Sequence, residues 1–231
     1  AKQRSDALEH VLLVGPKGLG KTSMAHVIAA EMGVTLTEVV GSSFNESEAI
    51  RLLGDLQAGN PVLFIDELHR VPVKSQELLY SAMEDFQYSF MQRCSWYPTS
   101  LVTEDIPHFT LIGATTEEGR LSEPFRERFG ITLRMEFYKD EDLVTIILRD
   151  AQDDGGIPME IATELAKRSR GTPRVAKTLY RRFRDITIST GGEPVAVMSM
   201  LEKDFGLDFL GLTRVDRRMM SCILQSGGYA S

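Results

Sequence analysis

The chain has 231 residues, 42% hydrophobic content and a net charge of −7. This length allows one large core with a smaller satellite domain, and the negative charge excludes a protein that coats nucleic acid by bulk charge. We find no apolar run of transmembrane length and no signal peptide, and Cys94 and Cys222 lack metal-ligand spacing. We therefore expect a cytoplasmic protein without membrane contact.

Strand and helix patterns alternate through the first 136 residues, which is typical of a parallel sheet with helices on both faces. Near-continuous apolar runs predict strands buried on both sides at 11–14, 61–65 and 109–114, and weaker patterns predict strands at 36–40 and 131–137. Helical spacing predicts helices at 22–32, 45–57, 74–86 and 122–128. From residue 139 the strand signal disappears, and helices are predicted at 140–152, 158–168, 173–189 and 194–204.

This change predicts three domains, at 1–137, 138–205 and 206–231, the last with a helix at 215–225. The chain has no initiator Met, and it closes just after a helical pattern. We therefore expect a piece of a longer protein, with a naturally short relative as the alternative.

Residues 15–22 read Gly-Pro-Lys-Gly-Leu-Gly-Lys-Thr, which fits G-x-x-x-x-G-K-[ST] between a predicted strand and a predicted helix. The glycines let successive backbone N–H groups turn inward around phosphate oxygens. Lys21 can reach the β- and γ-phosphates, and the Thr22 hydroxyl can bind Mg²⁺. The loop therefore predicts binding of ATP with Mg²⁺.

Two acids, Asp66 and Glu67, follow the second buried strand. At this edge of a parallel sheet, Asp66 can hold Mg²⁺ through water. Glu67 can orient and deprotonate an attacking water. Taken alone, such acids often begin a solvated helix; together with the loop at 15–22 they favour hydrolysis.

Three further patterns remain ambiguous from the residues alone. The strand at 109–114 is followed by Thr115 and Thr116, which either sense the γ-phosphate or cap a turn. Arg126 and Arg128 lie on a short helix and either reach a neighbouring subunit's phosphate or form surface salt bridges. The stretch 167–184 carries eight basic residues and no acid. It is either a solvated face or a contact with DNA or a neighbouring subunit.

Arg174 lies in this stretch at the start of a predicted helix, where the helix dipole disfavours a cation. This placement indicates an anionic partner. The four histidines are scattered along the chain without a triad or metal spacing, and we interpret them as structural.

These motifs, in this order, resemble those of AAA+ ATPases, and their wording resembles the bacterial RuvB family. The resemblance rests on Ala7–His10, Phe64–Arg70, Phe109–Thr116, Arg126–Gly130 and Arg170–Arg174. It implies an α/β fold, with an AAA+ P-loop parallel-sheet domain, a small all-helical lid domain and the start of a truncated winged-helix domain. The implied function is an ATP-hydrolysing motor that drives Holliday-junction branch migration; the alternative is an AAA+ switch or loader that acts on protein partners without DNA translocation.

The resemblance also assigns roles to individual residues. Glu67 corresponds to the catalytic base, Thr116 to the first sensor, Arg128 to a finger inserted into the adjacent subunit, and Arg174 to the second sensor. Tyr138 and Pro173 match positions near the adenine, and Thr22 and Asp66 match the metal site. The implied nucleotide-binding set is Gly15, Pro16, Lys17, Gly18, Leu19, Gly20, Lys21, Thr22, Ser23, Tyr138, Pro173 and Arg174.

The implied partners are duplex DNA with a Holliday junction, further copies of the chain in a hexameric ring, and a RuvA-like junction-binding protein. The docking element for that protein would be a hairpin within 87–106 with an aromatic tip at 92–98. The sequence departs from the family at Lys17, where a proline is usual, and at Glu117 and Glu118, where the family has a basic residue.

Overall fold

The structure is a computed structural model that describes residues 7–56, 59, 61–94 and 97–226, with the backbone alone at 92–94 and 97–99. The chain divides into two compact units, Ala1–Met135 and Glu136–Ser231. The described residues after 205 are grouped with the second unit, and the division into three domains stays a prediction. Cys222 is exposed and free, whereas the side chain of Cys94 lies outside the described set.

The described strands of the first unit are β1 (Val11–Val14), β2 (Leu36–Val40), β3 (Val62–Asp66), β4 (Gln87–Cys94), β5 (Tyr97–Asp105), β6 (Thr110–Thr115) and β7 (Ile131–Arg134). Five of them form a sheet in the order β2-β3-β6-β1-β7, and every neighbouring pair in it is parallel. The predicted parallel-sheet fold is confirmed. The strand order places the ends of β3, β6 and β1 side by side at one edge.

The helices of this unit, within the described residues, are α1 (Lys21–Met32), α2 (Glu46–Gly54), α3 (Val73–Asp85) and α4 (Glu123–Glu127). Alternate residues of β1 enter different cores: Leu12 packs in the cluster that contains α2 and α3, and Leu13 packs with Ala25 and Ala29 of α1. Both faces of the central strands are covered, which explains their near-continuous apolar runs.

Two predicted boundaries were wrong. The strand predicted at 131–137 ends at Arg134, because β7 pairs only with β1, and β1 ends at Val14. The helix predicted at 45–57 ends at Gly54, a residue with low helix propensity.

The β4–β5 hairpin was implied by the family resemblance alone, and the residue pattern did not predict it. Its antiparallel register runs from Gln87 opposite Asp105 to Cys94 opposite Tyr97. Tyr88 and Phe90 stack on one face of β4, with ring centroids 5.6 Å apart. Residues 95 and 96 of the expected aromatic tip lie outside the described residues.

The second unit is helical in the residues that the structure describes, as predicted. Its helices are α5 (Asp140–Ala151), α6 (Met159–Arg168), α7 (Pro173–Thr190), α8 (Pro194–Phe205) and α9 (Arg214–Gln225). Leu143, Leu165, Leu179 and Leu201 meet in a core separate from those of the sheet. No helix in the described part of the chain combines the length and apolarity that crossing a membrane requires.

Candidate nucleotide site

The loop between β1 and α1 has a backbone shape that glycine adopts freely. Gly15, Gly18 and Gly20 have φ angles of 154°, 85° and 97°, a region that side chains with a Cβ rarely enter. A Cβ at Gly15 would also lie 2.6 Å from the carbonyl oxygen of Met135. The loop therefore needs glycine at these places to form its cradle of backbone N–H groups.

Lys21 lies inside this cradle at the first position of α1. Its side-chain Nζ donates to the carbonyl oxygens of Gly15 and Pro16, both at 2.8 Å, and the residue is 8% exposed. Gly20 precedes the helix and has no side chain to cap its first N–H groups. The helix N-terminus, the Lys21 ammonium and the half-buried Thr22 beside it are suited to a phosphate chain.

Asp66 and Glu67 stand where β3 ends. Asp66 Oδ1 accepts a hydrogen bond from the backbone N–H of Glu67 at 2.8 Å. Glu67 has a φ of 51°, a strained conformation for a non-glycine residue that is often found at functional sites. A Cβ at Gly41 would collide with the Glu67 carbonyl oxygen. The backbone beneath Glu67 is therefore tightly fixed.

The carboxylate of Glu67 reaches back to the phosphate loop. Its Oε1 lies 3.4 Å from Lys17 Nζ, and its Oε2 lies 3.2 Å from Arg70 Nε. The structure thus brings the predicted base and the predicted phosphate loop together. The sequence analysis did not identify Arg70 as part of this group.

β6 connects the two halves of the site, since it lies between β3 and β1. The backbone N–H of Gly15 donates to the Thr115 carbonyl oxygen at 3.1 Å. The Thr115 hydroxyl oxygen lies 3.1 Å from His69 Nδ1 and accepts from the Glu117 N–H at 3.0 Å. The Thr115 hydroxyl thus contacts groups of its own chain. The half-buried Thr116 is therefore the better candidate for the sensor of the γ-phosphate.

The donor set fits Mg²⁺. Within the described ranges, no three His, Cys, Asp or Glu residues cluster closely enough to hold a metal on their own. Mg²⁺ is commonly bound by one or two protein ligands together with substrate phosphates. Thr22, at the start of α1, and Asp66, at the end of β3, offer this limited set beside the phosphate cradle.

Arg128 follows α4 and contacts α3. Its Nη2 donates to Tyr80 Oη at 2.6 Å and lies 2.7 Å from Glu84 Oε2. The hydrogen bond with Tyr80 raises the pKa of Arg128, which stays charged. Its Nε is buried without a hydrogen-bond partner among the described residues. The sequence analysis missed both partners, because nothing in a single sequence signals contact between α3 and the end of α4.

Tyr138, Pro173 and Arg174 all belong to the second unit. The Tyr138 N–H donates to the Gly171 carbonyl oxygen at 2.9 Å, so Tyr138 lies next to the start of α7, where Pro173 is the first residue. Arg170 and Gly171 have φ angles of 49° and 70°, which turn the chain sharply before the helix. Arg174 is exposed on the first turn. The approach of these three residues to a nucleotide stays a prediction.

Acidic side chains that lie close in space neutralise much of the basic stretch 167–184. Five of its eight cations form ion pairs: Lys167 with Glu164, Arg168 with Glu164 and Glu202, Arg170 with Asp216, Lys177 with Asp150, and Arg184 with Asp154 and Asp185. Arg168 is buried and serves the core. The surface that is left for an anion is therefore smaller than the sequence suggested.

The two acids that depart from the family are also paired. Glu117 accepts from Arg120 Nε at 2.8 Å, and Glu118 accepts two hydrogen bonds from Arg134, at 2.6 and 3.1 Å. The bonds from Arg134 lower the pKa of Glu118. These acids are held by neighbouring arginines on the same unit.

Residues 1–135 match the family described as Holliday junction DNA helicase RuvB P-loop domain, and residues 138–201 match the RuvB AAA lid domain. The chain belongs to the RuvB family. Both matches confirm the resemblance to the RuvB family that the motifs indicate.

Individual RuvB proteins agree with this assignment. The Holliday junction branch migration complex subunit RuvB of Streptococcus agalactiae is 46% identical over 97% of this chain and 68% of that protein. The corresponding subunit of Lactobacillus delbrueckii subsp. bulgaricus is 44% identical over 99% of this chain and 68% of that protein. The solved Thermotoga maritima RuvB Holliday junction branch migration motor is 39% identical with a TM-score of 0.84, covering 98% of this chain and 72% of that one. The switch or loader alternative is not favoured by these relatives.

Proposed function

We propose that this chain is the ATP-hydrolysing motor of RuvB-type branch migration, acting as a hexameric ring on duplex DNA at Holliday junctions. The observation that supports the proposal is the contact between Glu67 Oε1 and Lys17 Nζ, which joins the residue after β3 to the phosphate loop after β1. The RuvB relatives, which are branch migration proteins, support the same activity.

In the proposed reaction, Lys21 and the N–H groups at the start of α1 hold the β- and γ-phosphates. Thr22 and, through water, Asp66 would hold Mg²⁺, which would neutralise charge on these phosphates. Glu67 orients the attacking water and accepts its proton, and Thr116 contacts the γ-phosphate.

Completion of the site requires a second subunit. We assign Arg128 to the γ-phosphate of the neighbouring copy, where a cation stabilises charge that develops as the phosphoryl group transfers. Arg174 supplies a further cation from the lid, and Tyr138 and Pro173 flank the adenine. This arrangement makes hydrolysis depend on assembly.

The β4–β5 hairpin is the proposed docking element for a RuvA-like junction-binding protein. Met91 and Leu101 are opposite one another in its register and are 59% and 67% exposed. A pair of exposed apolar side chains on a two-stranded arm is suited to burial against a partner.

A motor on chromosomal DNA in a bacterium would act in the cytoplasm.

The test compares the full-length gene product with its Glu67→Gln variant, measuring ATP hydrolysis, ATP binding and dissociation of a four-way junction. We expect Glu67→Gln to bind ATP while hydrolysis falls by about a hundredfold or more, as for loss of a general base. Glu31→Gln, which makes the same change at an exposed position of α1, is the control. Near-normal hydrolysis by Glu67→Gln would refute the assigned base, and junctions left intact by the wild-type protein with ATP would refute the motor.

A further inference from the structure

We propose that Lys17 restrains Glu67 and releases it only part of the time when the phosphate loop is filled, so that Lys17 is a positioning residue that slows hydrolysis. This inference rests on the proposed role of Glu67 as the base. Both carboxylate oxygens of Glu67 are engaged by cations, Oε1 by Lys17 and Oε2 by Arg70. A water molecule must compete with these cations for the lone pairs of the carboxylate, which has about four acceptor sites.

The two contacts differ in what they connect. Arg70 lies three residues after Glu67, on the short turn at 68–70, and remains beside the carboxylate whatever the loop does. Lys17 lies fifty residues earlier, inside the phosphate loop itself. Only the Lys17 contact therefore links the state of the loop to the position of the base.

Lys17 is placed to exchange one anion for another. Its side chain is 66% exposed, and an ammonium on a four-carbon stem retains rotational freedom there. Phosphates that enter the loop bring more negative charge than the single carboxylate of Glu67. In the filled loop the ammonium then alternates between the phosphates and Oε1, and Oε1 is free for water only while the ammonium is on the phosphates.

Lys21 has a different role in this scheme. Its Nζ is held by the carbonyl oxygens of Gly15 and Pro16 within the cradle, whereas Lys17 points across the loop to β3. The motif requires Lys21 and leaves position 17 open. The restraint is therefore a property of this chain's own residue at an unconstrained position.

The experiment measures steady-state ATP hydrolysis by the full-length gene product carrying Lys17→Gln, Lys17→Arg or the control Lys203→Gln, an equal loss of charge at an exposed position of α8. We expect Lys17→Gln to raise kcat about two- to fivefold, the range that loss of one exposed ion pair allows, with at most a small rise in KM because the ammonium also contacts the phosphates. Lys17→Arg keeps the cation, and we expect its kcat to equal the wild-type value.

Two results would overturn the inference: a kcat that is unchanged or lower in Lys17→Gln, or a rise in KM alone, which would make Lys17 a phosphate-binding residue without a restraining role. Failure of the proposed function is separable, because it shows in the single variant Glu67→Gln. If Glu67→Gln is inactive and Lys17→Gln is not faster, only the restraint is wrong. In the double variant the gain from Lys17→Gln should disappear, and a persistent gain would also refute the restraint.

Discussion

Nη2 of Arg128 lies 2.6 Å from the hydroxyl oxygen of Tyr80, and the guanidinium carbon lies 4.6 Å from the centre of the Tyr80 ring. One aromatic side chain of α3 thus offers both a hydrogen-bond acceptor and a π face to the proposed finger. The orientation of the Arg128 cation therefore depends on Tyr80, a residue outside the ATPase motifs.

Tyr80→Phe keeps the ring and removes the hydroxyl. We expect ATP hydrolysis by the assembled protein to fall about three- to tenfold, because the finger loses its orientation while its charge remains. Nucleotide binding should be unchanged, since Tyr80 does not contact the phosphate loop. Steady-state hydrolysis and ATP affinity measured on the same preparations check this, and equal hydrolysis rates would show that Tyr80 does not position Arg128.

Arg128→Ala and Glu67→Gln subunits should each be inactive alone and partly active when mixed. In a mixed ring, an Arg128→Ala subunit keeps its own base and borrows the finger of a Glu67→Gln neighbour. Hydrolysis measured across mixing ratios should pass through a maximum. A flat, inactive series would indicate that Arg128 acts within its own subunit or only in folding.

His10 should make the first unit sensitive to mild acid. Its Nδ1 accepts the Leu111 N–H at 2.8 Å, and its Nε2 lies 3.3 Å from the Met83 carbonyl oxygen. Burial lowers the pKa of His10 below 6.5, and the bond to Met83 opposes this only in part. A depressed folded-state pKa gives stability that is present above the unfolded value and lost as the pH falls through the folded one.

Urea unfolding at a series of pH values tests this prediction. The wild-type midpoint should fall from about pH 6.5 downward, and His10→Gln should show a shallower fall because it carries no titrating ring. His26→Gln, at an exposed position, is the matched control. If the urea midpoint falls equally with pH in wild type and His10→Gln, His10 is not the source of the acid sensitivity.

Gly41→Ala should damage catalysis from outside the nucleotide site. The added methyl would collide with the Glu67 carbonyl oxygen, and the backbone under the base would have to shift. We expect a destabilisation of about 1–3 kcal/mol from overpacking, and a lower kcat. Gly119→Ala meets nothing within 4 Å and serves as the control. Wild-type kcat in Gly41→Ala would show that this close approach does not fix Glu67.

Arg168→Ala should destabilise the second unit. The side chain is 7% exposed, and its guanidinium donates through Nε to Glu202 and through Nη1 to Glu164. Its removal takes the shared cation from the carboxylates of Glu164 and Glu202. Since both acids are partly exposed, we expect the free energy of unfolding to fall by about 2–3 kcal/mol, less than for a fully buried pair. Arg182→Ala, at an exposed position of α7, should change the unfolding free energy little. Equal unfolding free energies for the two variants would contradict this.

The sequence predicted the sheet strands well because each central strand is buried on both faces and leaves a continuous apolar run. It failed where neighbours decide the outcome. The strand predicted to continue to 137 stops at Arg134 because β1 offers no partner beyond Val14. The β4–β5 hairpin mixes polar and apolar residues and gives no strong period of its own.

The phosphate loop and the acids of β3 could be located from local motifs, because their chemistry is fixed over a few adjacent residues. Their surroundings could not. Tyr80 and Glu84 contact Arg128 from α3, more than forty residues earlier in the sequence. Arg70 is only three residues from Glu67, but no local motif marks it as a partner of that carboxylate. His69, interpreted as structural, lies against Thr115 at the end of β6, and its scattered position gave no signal of this.

The order of the sheet also has a consequence for synthesis on the ribosome. β1 is the first of the described strands to be made, yet its two partners, β6 and β7, begin about a hundred residues later at Thr110 and Ile131. Until then both edges of an apolar strand lack their partners, a situation that favours slow folding and aggregation. We therefore expect folding of the nascent chain to benefit from a chaperone that covers β1 until the strand that carries Thr115 has been made.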